Sequence, residues 1–351
     1  MKKSIVALAV LGSFAGMAAA QSSVTLFGVV DLAARYTKSN GNSLKQLHND
    51  GSSSSRLGVR GIEDLGGGLK AGFWLESALS ADTGTSGDTA GRFWNRRASV
   101  SLMGEFGEIR LGRGKTSTRL VIDDFDVYGT VGLGDVTRVY QTFPGAVTAP
   151  VTPIAVDNIN RSDNQAQYFL PGNIGGFYGS AEAAAGEGTD GKKSFGGRVG
   201  YKVDALHVAA GYQTTDIRGS KYKLASFGGS YDLTMVKVSA LYSQIKLGAL
   251  KQSIITVGAI VPVTASSAFT AQVSSASTNG AADALTRTAG DAKVYTAGYQ
   301  YNLSKRTALY STVSLIDNGG LANFKLAADS VAGGVPNGRS GGFDIGMKHS
   351  F

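Results

Sequence analysis

Phe343-Asp344-Ile345-Gly346-Met347-Lys348-His349-Ser350-Phe351 alternates without a break. Phe343, Ile345, Met347, His349 and Phe351 fall on one face; Asp344, Gly346, Lys348 and Ser350 fall on the other. A period of two marks a strand with one apolar and one polar surface. In a soluble domain the apolar face would end in a core, where a free carboxylate attached to an aromatic is out of place. In a strand of a membrane wall, the apolar side meets lipid and the aromatic end stops at the interfacial girdle.

The opposite end of the sequence agrees. Lys2 and Lys3, then an apolar run from Ile5 to Met17, then Ala18-Ala19-Ala20 read as a secretory signal peptide, residues 1–20, with the mature chain starting at Gln21. The run is shorter than the roughly 20 residues a spanning helix needs, and no later segment supplies such a helix. Low charge (17%), 49 Gly, 6 Pro, 14 Tyr and 15 Phe suit many strands joined by tight turns. Without cysteine, an exported chain of this size holds together by ladder hydrogen bonds and packing alone. Net charge is +8, of which Lys2 and Lys3 supply two, leaving +6 spread without a basic block. That distribution argues against a nucleic-acid partner.

Alternating runs recur along the whole of residues 21–351. The first is Val24–Tyr36, with Val24, Leu26, Val30, Leu32 and Tyr36 on one face and Thr25, Asp31 and Arg35 opposite. Ser55–Ile62, Leu69–Leu79, Arg92–Met103, Glu108–Arg113, Arg161–Leu170, Phe177–Ala185, Ser194–Val203 and Leu206–Thr215 follow. The remainder are Tyr222–Leu233, Met235–Leu247, Ile254–Val263, Ala268–Ser277, Lys293–Leu303, Arg306–Asp317 and Gly342–Phe351. That makes about sixteen strands, each near the roughly 9–11 residues that cross a bilayer when tilted.

The connections alternate in length. Asp64–Gly68, Gly104–Gly107, Gly172–Gly176, Asp204-Ala205, Leu233-Thr234 and Asn302–Lys305 are short, whereas Thr37–Ser54, Ser80–Gly91, Gly186–Lys193, Asp216–Lys221 and Asn318–Ser340 are longer and polar. Short turns at one rim and long loops at the other indicate an all-β transmembrane antiparallel barrel, with both termini at the short-turn rim. A soluble sandwich is the competing reading, and it has no need of such alternation. Residues 114–160 interrupt the pattern. The segment contains Val121, Ile122, Phe125, Val127, Tyr128 and Phe143, too apolar for free disorder, and the barrel interior is the wall available to it.

Particular segments carry a family resemblance. Ser23-Val24-Thr25-Leu26-Phe27-Gly28-Val29-Val30-Asp31 resembles the opening strand of Gram-negative general porins of the trimeric OmpC/OmpF-like type, in their beta-proteobacterial form. The stretch from Ser55 to Lys70, Phe106-Gly107-Glu108-Ile109-Arg110-Leu111-Gly112-Arg113, Leu303-Ser304-Lys305-Arg306-Thr307-Ala308-Leu309-Tyr310 and the terminal Lys348-His349-Ser350-Phe351 add to it. The resemblance implies a sixteen-stranded homotrimer in the outer membrane, in contact with lipid and lipopolysaccharide, whose third loop folds inward as a constriction. It also implies that wall arginines face loop carboxylates. By motif these are Arg56, Arg96 and Arg161 on the wall, and Asp123, Asp124 and Asp126 on the loop. Where many relatives carry a Pro-Glu-Phe-Gly turn, this chain has Asp124-Phe125-Asp126-Val127-Tyr128-Gly129, which leaves open which aspartate faces the pore. A terminal aromatic such as Phe351 is, by the same resemblance, read by the outer-membrane assembly machinery.

Alternation alone supports part of this. Arg56, Gly58 and Arg60 share a side opposite Leu57 and Val59, so both guanidiniums point into the lumen if the apolar face meets lipid. Opposed charges ~8 Å apart interact by ~0.5 kcal/mol in bulk water and ~2 kcal/mol at an effective dielectric of 20, enough to orient small solutes. Arg97, next to Arg96, is expected to point outward unless a bulge intervenes.

Other chemistry is thin. Gly186-Glu187-Gly188-Thr189-Asp190-Gly191 satisfies a dinucleotide fingerprint, but a strand follows rather than the required helix. His48, His207 and His349 lie far apart, there is no metalloprotease or serine-hydrolase motif, and the aspartates fit a pore cluster better than a Ca²⁺ site. The expectation is a general diffusion porin with no cofactor and no enzymatic role, passing small hydrophilic solutes and favouring inorganic anions. A substrate-specific channel and an adhesin or receptor barrel are the alternatives.

Overall fold

The structure is a computed structural model that describes residues 23–39, 41–87, 91–140, 159–217, 219–279, 290–326 and 337–351. The expected signal segment, Phe143 and the rest of residues 141–158 lie outside them. In chain order the elements begin β1 (Ser23–Ser39), β2 (Asn42–Asn49), β3 (Arg56–Gly66), β4 (Leu69–Ser80), β5 (Thr85–Ser86), β6 (Arg97–Gly104) and β7 (Gly107–Lys115). The helix α1 (Ser117–Phe125) follows, then β8 (Arg161–Phe169), β9 (Phe177–Ala184), β10 (Ser194–Val203), β11 (Leu206–Ile217), β12 (Ser220–Asp232) and β13 (Lys237–Leu247). The chain closes with β14 (Leu250–Thr264), β15 (Ser267–Asn279), β16 (Ala292–Asn302), β17 (Thr307–Asn318) and β18 (Arg339–Ser350).

Among the described residues every strand pairing is antiparallel, and consecutive wall strands are neighbours. Setting aside the short β5 and the accessory β2, sixteen strands form the wall of a closed barrel. The seam is where β18 meets β1, in register from Val29 opposite Ser350 to Ser39 opposite Ser340. Phe351 extends it, exchanging backbone hydrogen bonds with Gly28. Closure satisfies both edges of the sheet, which a lipid-embedded strand cannot leave open.

Alternation sorts the side chains as the terminal stretch foretells. Phe343, Ile345, Met347, Leu26, Leu57, Val100, Leu111, Val199, Phe227, Val257 and Val313 are exposed on the outside. Their inward neighbours are buried or face the lumen. Asp344 is fully buried and receives a two-point bond from Arg35, at 2.7 and 2.6 Å, across the seam. A bidentate carboxylate–guanidinium pair keeps each charge solvated by the other where water is absent.

Three sequence expectations change. Thr37–Ser54 is not a surface loop: β1 turns tightly into β2, which pairs back on it from Ser39 opposite Asn42 to Leu32 opposite Asn49. β3 then continues along the same strand, from Val29 opposite Arg56, and residues 50–55 between them bulge inward. Asp216–Lys221 is likewise absorbed into a hairpin, with Ile217 opposite Ser220. In both places ladder hydrogen bonds claim polar residues that composition alone assigns to loops. Arg92–Arg96, by contrast, precede the ladder, which begins at Arg97.

The interior is only half open. Val121, Ile122, Phe125, Leu133, Val136, Val139 and Tyr140 of the long third connection form a core with inward residues of the wall, among them Leu224, Leu241, Ile245, Ile254 and Ile316. These wall positions explain why sequence around Ile254-Ile255 is apolar on both faces: one side meets lipid and the other the loop. Burying each such aliphatic side chain contributes roughly 1.5–3 kcal/mol.

Candidate functional site

The third connection is held in place by its first turn. Thr116 caps α1, its hydroxyl accepting the Arg119 N–H at 3.3 Å. The Glu182 carboxylate takes both the N–H and the hydroxyl of Ser117 at 2.8 Å, placing negative charge at the helix N-terminus, where it is favourable. Thr118 donates to Gln213 at 2.7 Å, and Ser239 donates to the Phe125 carbonyl at 2.7 Å. The ring of Phe125 lies over Gly228, where a Cβ would collide with it. Beyond the helix, Gln272 donates to the Gly134 carbonyl at 2.9 Å and Tyr140 donates to Ser243 at 2.8 Å. The connection therefore follows the wall from β9 round to β18, leaving the passage against β1, β3, β4, β6, β7 and β8.

That free wall is basic. Arg56, Arg60, Arg96, Arg97, Arg110, Lys115 and Arg161 line one chamber, and Glu76 is the one carboxylate among its lining residues. Glu76 organises the cluster. It accepts from Arg96 Nε at 2.5 Å and from the Trp74 indole at 3.0 Å, and Arg56 Nε lies 3.9 Å away. Arg161 donates to the Arg96 carbonyl at 2.9 Å, and Arg56 to the Ser54 carbonyl at 2.8 Å. The structure thus brings Arg56, Arg96 and Arg161 together, with Arg60 below them. Arg97 corrects an expectation: it faces inward, because the strand starts with it and Arg96 sits in the preceding bend, outside the alternation.

The loop aspartates are placed otherwise than the resemblance implies. Asp123 is bridged by Lys115 at 2.6 Å and Arg119 at 2.7 Å. Burial alone would raise its carboxyl, but these two cations outweigh it and hold it below the usual carboxylate range. Asp124 lies away from the arginine wall, 3.1 Å from Arg198; burial raises its carboxyl, which Arg198 only partly offsets. Asp126 is buried and accepts the N–H groups of Tyr128, Thr130 and Val136, so it shapes the loop rather than the channel. Burial, with Asp135 nearby, pushes it up to about 7. The three carboxylates diverge to separate partners and do not converge on a shared cation.

A second inward element has no counterpart in the sequence reading. Residues 50–55, Asp-Gly-Ser-Ser-Ser-Ser, are strapped into the lumen by Asp31, whose carboxylate accepts the N–H groups of Gly51, Ser52 and Ser53 at 3.2, 3.0 and 2.6 Å. Tyr310 donates its hydroxyl to the same carboxylate, and Lys348 reaches Ser52 at 3.4 Å. Ser52, Ser53 and Ser54 then line the loop-side chamber with Arg56, Arg96 and Arg161. Gly132 of the third connection packs against the Gly51 carbonyl so closely that no side chain fits there. The inward alternation of Asp31 is the signal that could have found this strap. Trp74 and Glu76 were within reach in the same way, on the inner face of β4. Phe351 sits at the short-turn rim, half exposed.

A family model described as Gram-negative porin matches residues 7–321 of this chain. The chain is 37% identical to outer membrane porin protein 32 of Delftia acidovorans over the whole of both sequences. It is 27% identical to an outer membrane porin protein of Bordetella pertussis over 70% of this chain and 69% of that one. Among solved structures, the anion-selective porin from Comamonas acidovorans matches with a TM-score of 0.82 at 33% identity, covering 94% of this chain and 100% of that one. OmpT of Vibrio cholerae, at 15% identity and a TM-score of 0.65 over 94% and 98%, shares the fold.

Proposed function

The chain belongs to the Gram-negative porin family, and on that premise we propose that it is a general diffusion channel of the outer membrane that prefers anions. Small hydrophilic solutes and ions cross its water-filled lumen passively. The observation that carries the anion preference is the imbalance on the free wall: of seven cations lining the chamber, Lys115 is paired with Asp123 and Arg110 with Glu108, which leaves Arg56, Arg60, Arg96, Arg97 and Arg161 to a single lining carboxylate, Glu76. Among the described loop residues the opposing carboxylate is Asp135, which lines the loop-side chamber with Arg56, Arg96 and Arg161 and lies 3.7 Å from Arg138. Asp123 and Asp124 are each committed to cations and Asp126 is buried. Guanidiniums remain charged at any physiological pH. Each uncompensated charge ~8 Å from a passing ion contributes ~0.5 kcal/mol in bulk-like water, which screening cuts to ~0.2 kcal/mol, so a net excess of about four charges reaches ~0.8 kcal/mol, above thermal energy.

Arg56, Arg60, Arg96 and Arg161 are the residues proposed to set this preference, joined by Arg97. The Comamonas acidovorans structure described as an anion-selective porin supports the same reading. Assembly as a homotrimer is part of the proposal, OmpT of Vibrio cholerae having a trimer form on this fold. So are removal of residues 1–20 on export, contact with lipopolysaccharide, and recognition of Phe351 by the assembly machinery. Reversal potentials in planar bilayers under a KCl gradient test the central point: chloride preference is expected, and potassium preference would overturn it. Liposome swelling with graded sugars should decline smoothly with size, whereas one outlying sugar would indicate a specific channel instead.

A further inference from the structure

Nearer the short-turn rim, β3, β4 and β6 build a second site below the arginine cluster. We propose that it is a subsite for amphipathic organic anions, namely small monocarboxylates carried on an aromatic or alicyclic body. The proposal rests on the reading that solutes traverse this lumen. Its upper rim is the Trp74 indole with a guanidinium on each flanking strand: Arg60 of β3 lies 5.0 Å from the indole centre and Arg97 of β6 lies 4.4 Å from it. Phe27 extends the stack, 5.2 Å from Trp74 edge-to-face and 5.4 Å from the Arg60 guanidinium.

Stacking fixes the plane of a guanidinium and leaves its N–H edges available. Neither Arg60 nor Arg97 forms an ion pair among the described residues, in contrast to Arg110, which is committed to Glu108 at 2.9 and 3.0 Å. Arg97 spends its Nε on the Ser99 hydroxyl at 2.9 Å, which orients the fork and leaves its outer edge for a ligand. Two oriented forks match a planar carboxylate, which accepts two parallel N–H bonds, better than they match a spherical halide.

Part of the floor is apolar, which a water-filled lumen does not require, and the one carboxylate lining the cavity, Glu108, is held by Arg110 and by the Ser101 hydroxyl. Ile62 and Met103 share the inward side with Arg60 and Ser101 by alternation, and both line this cavity. Gly72 lies between them. A Cβ there would stand 3.0 Å from Met103 Cε and 3.8 Å from Ile62 Cγ1, so the absent side chain leaves a dent against two hydrocarbon surfaces. The cavity measures about 440 Å³, within the range of roughly 300–1,000 Å³ typical of small-ligand sites. Chloride finds only the charge here, acetate finds the forks, and a ring-bearing carboxylate finds both forks and floor.

The test is a titration of chloride current through the intact channel in planar bilayers with benzoate, cyclohexanecarboxylate and acetate. The expected result is saturable reduction of current, with half-effect concentrations for the ring-bearing acids about tenfold below that of acetate. Met103→Gln should compress that ratio to about twofold while leaving acetate unchanged, since only the floor is altered. Arg60→Lys combined with Arg97→Lys keeps the charge but loses the stacked forks, and should weaken all three acids about tenfold. No saturable effect of benzoate on the unmodified channel, or equal effects of benzoate and acetate, would overturn the proposal without any variant being needed. Potassium preference in the KCl gradient with benzoate inhibition intact would refute only the anion-selective reading. Chloride preference without benzoate inhibition would refute only the subsite.

Discussion

Replacing Asp31 with alanine should release the strap formed by residues 50–55 and change the channel without dismantling the barrel. The carboxylate accepts three backbone N–H groups and the Tyr310 hydroxyl. Hydrogen bonds to a charged group contribute about 1.5–3 kcal/mol each, so four of them offset roughly 6–12 kcal/mol. Ordering a backbone residue costs about 1–2 kcal/mol, so a six-residue segment costs a comparable 6–12 kcal/mol. With Asp31 the two sides are near balance, and remaining contacts such as Asp50 to the Ser55 N–H, 2.6 Å, hold the strap inward. Without it the entropy wins and the serines leave the chamber. The assay is single-channel conductance with noise analysis, alongside heat-dependent gel migration to confirm a folded barrel. Conductance and open-channel noise should both rise. Asp31→Glu, which keeps the acceptor charge, should recover part of the quiet state. A folded Asp31→Ala channel with unchanged conductance and noise would refute the strap as a determinant of the passage.

Three further outcomes follow from the loop and the wall. Phe125→Ala removes a ring packed over Gly228 and should cost about 3–5 kcal/mol of loop docking, read as new protease nicking within the loop of a still-folded barrel; resistance equal to the parent would count against this packing. The Asp123 carboxyl lies below its unfolded value, so its latch is present above about pH 4 and is lost as pH falls through the folded pKa. Asp126, raised to about 7, acts with the opposite sign, its contribution falling as pH rises from about 4 towards 7. Current flicker should therefore be least near pH 4, and Asp126→Asn should flatten the upper limb only; flicker insensitive to pH in both proteins would refute the linkage. Glu76→Gln removes the acid from the basic chamber and should raise the chloride-to-potassium permeability ratio about twofold, since one charge at ~8 Å contributes ~0.2 kcal/mol after screening and acts with opposite sign on the two ions; a reduced ratio would contradict the charge argument.

The barrel is legible in the sequence because its physics is written locally. Alternation such as Phe343 to Phe351 must repeat in every strand that has lipid on one side, and the seam with β1 follows from closing the sheet. The site is legible in part. Alternation or motif places Arg56, Arg60, Arg96 and Arg161 on the inner wall, and the structure gathers them in one chamber. The fate of Asp123, Asp124 and Asp126 cannot be read so, because it depends on which groups the folded loop meets. Lys115 and Arg119 take one, Arg198 takes another, and backbone N–H groups take the third. Arg97 defeats the pattern because alternation has no meaning before a ladder begins. The strap is hidden because a Gly-Ser run reads as a surface loop unless its partner is known, and Asp31 lies some twenty residues upstream.

The uncompensated wall arginines govern which ion crosses. The direct measurement is the zero-current potential of the purified channel across a KCl gradient at neutral pH, repeated with Arg56, Arg96 and Arg161 all changed to glutamine. The unmodified channel should show the sign of chloride permeation, and the triple variant should move toward zero or beyond. A potential of potassium sign in the unmodified channel, or one unaltered by losing all three guanidiniums, would contradict it.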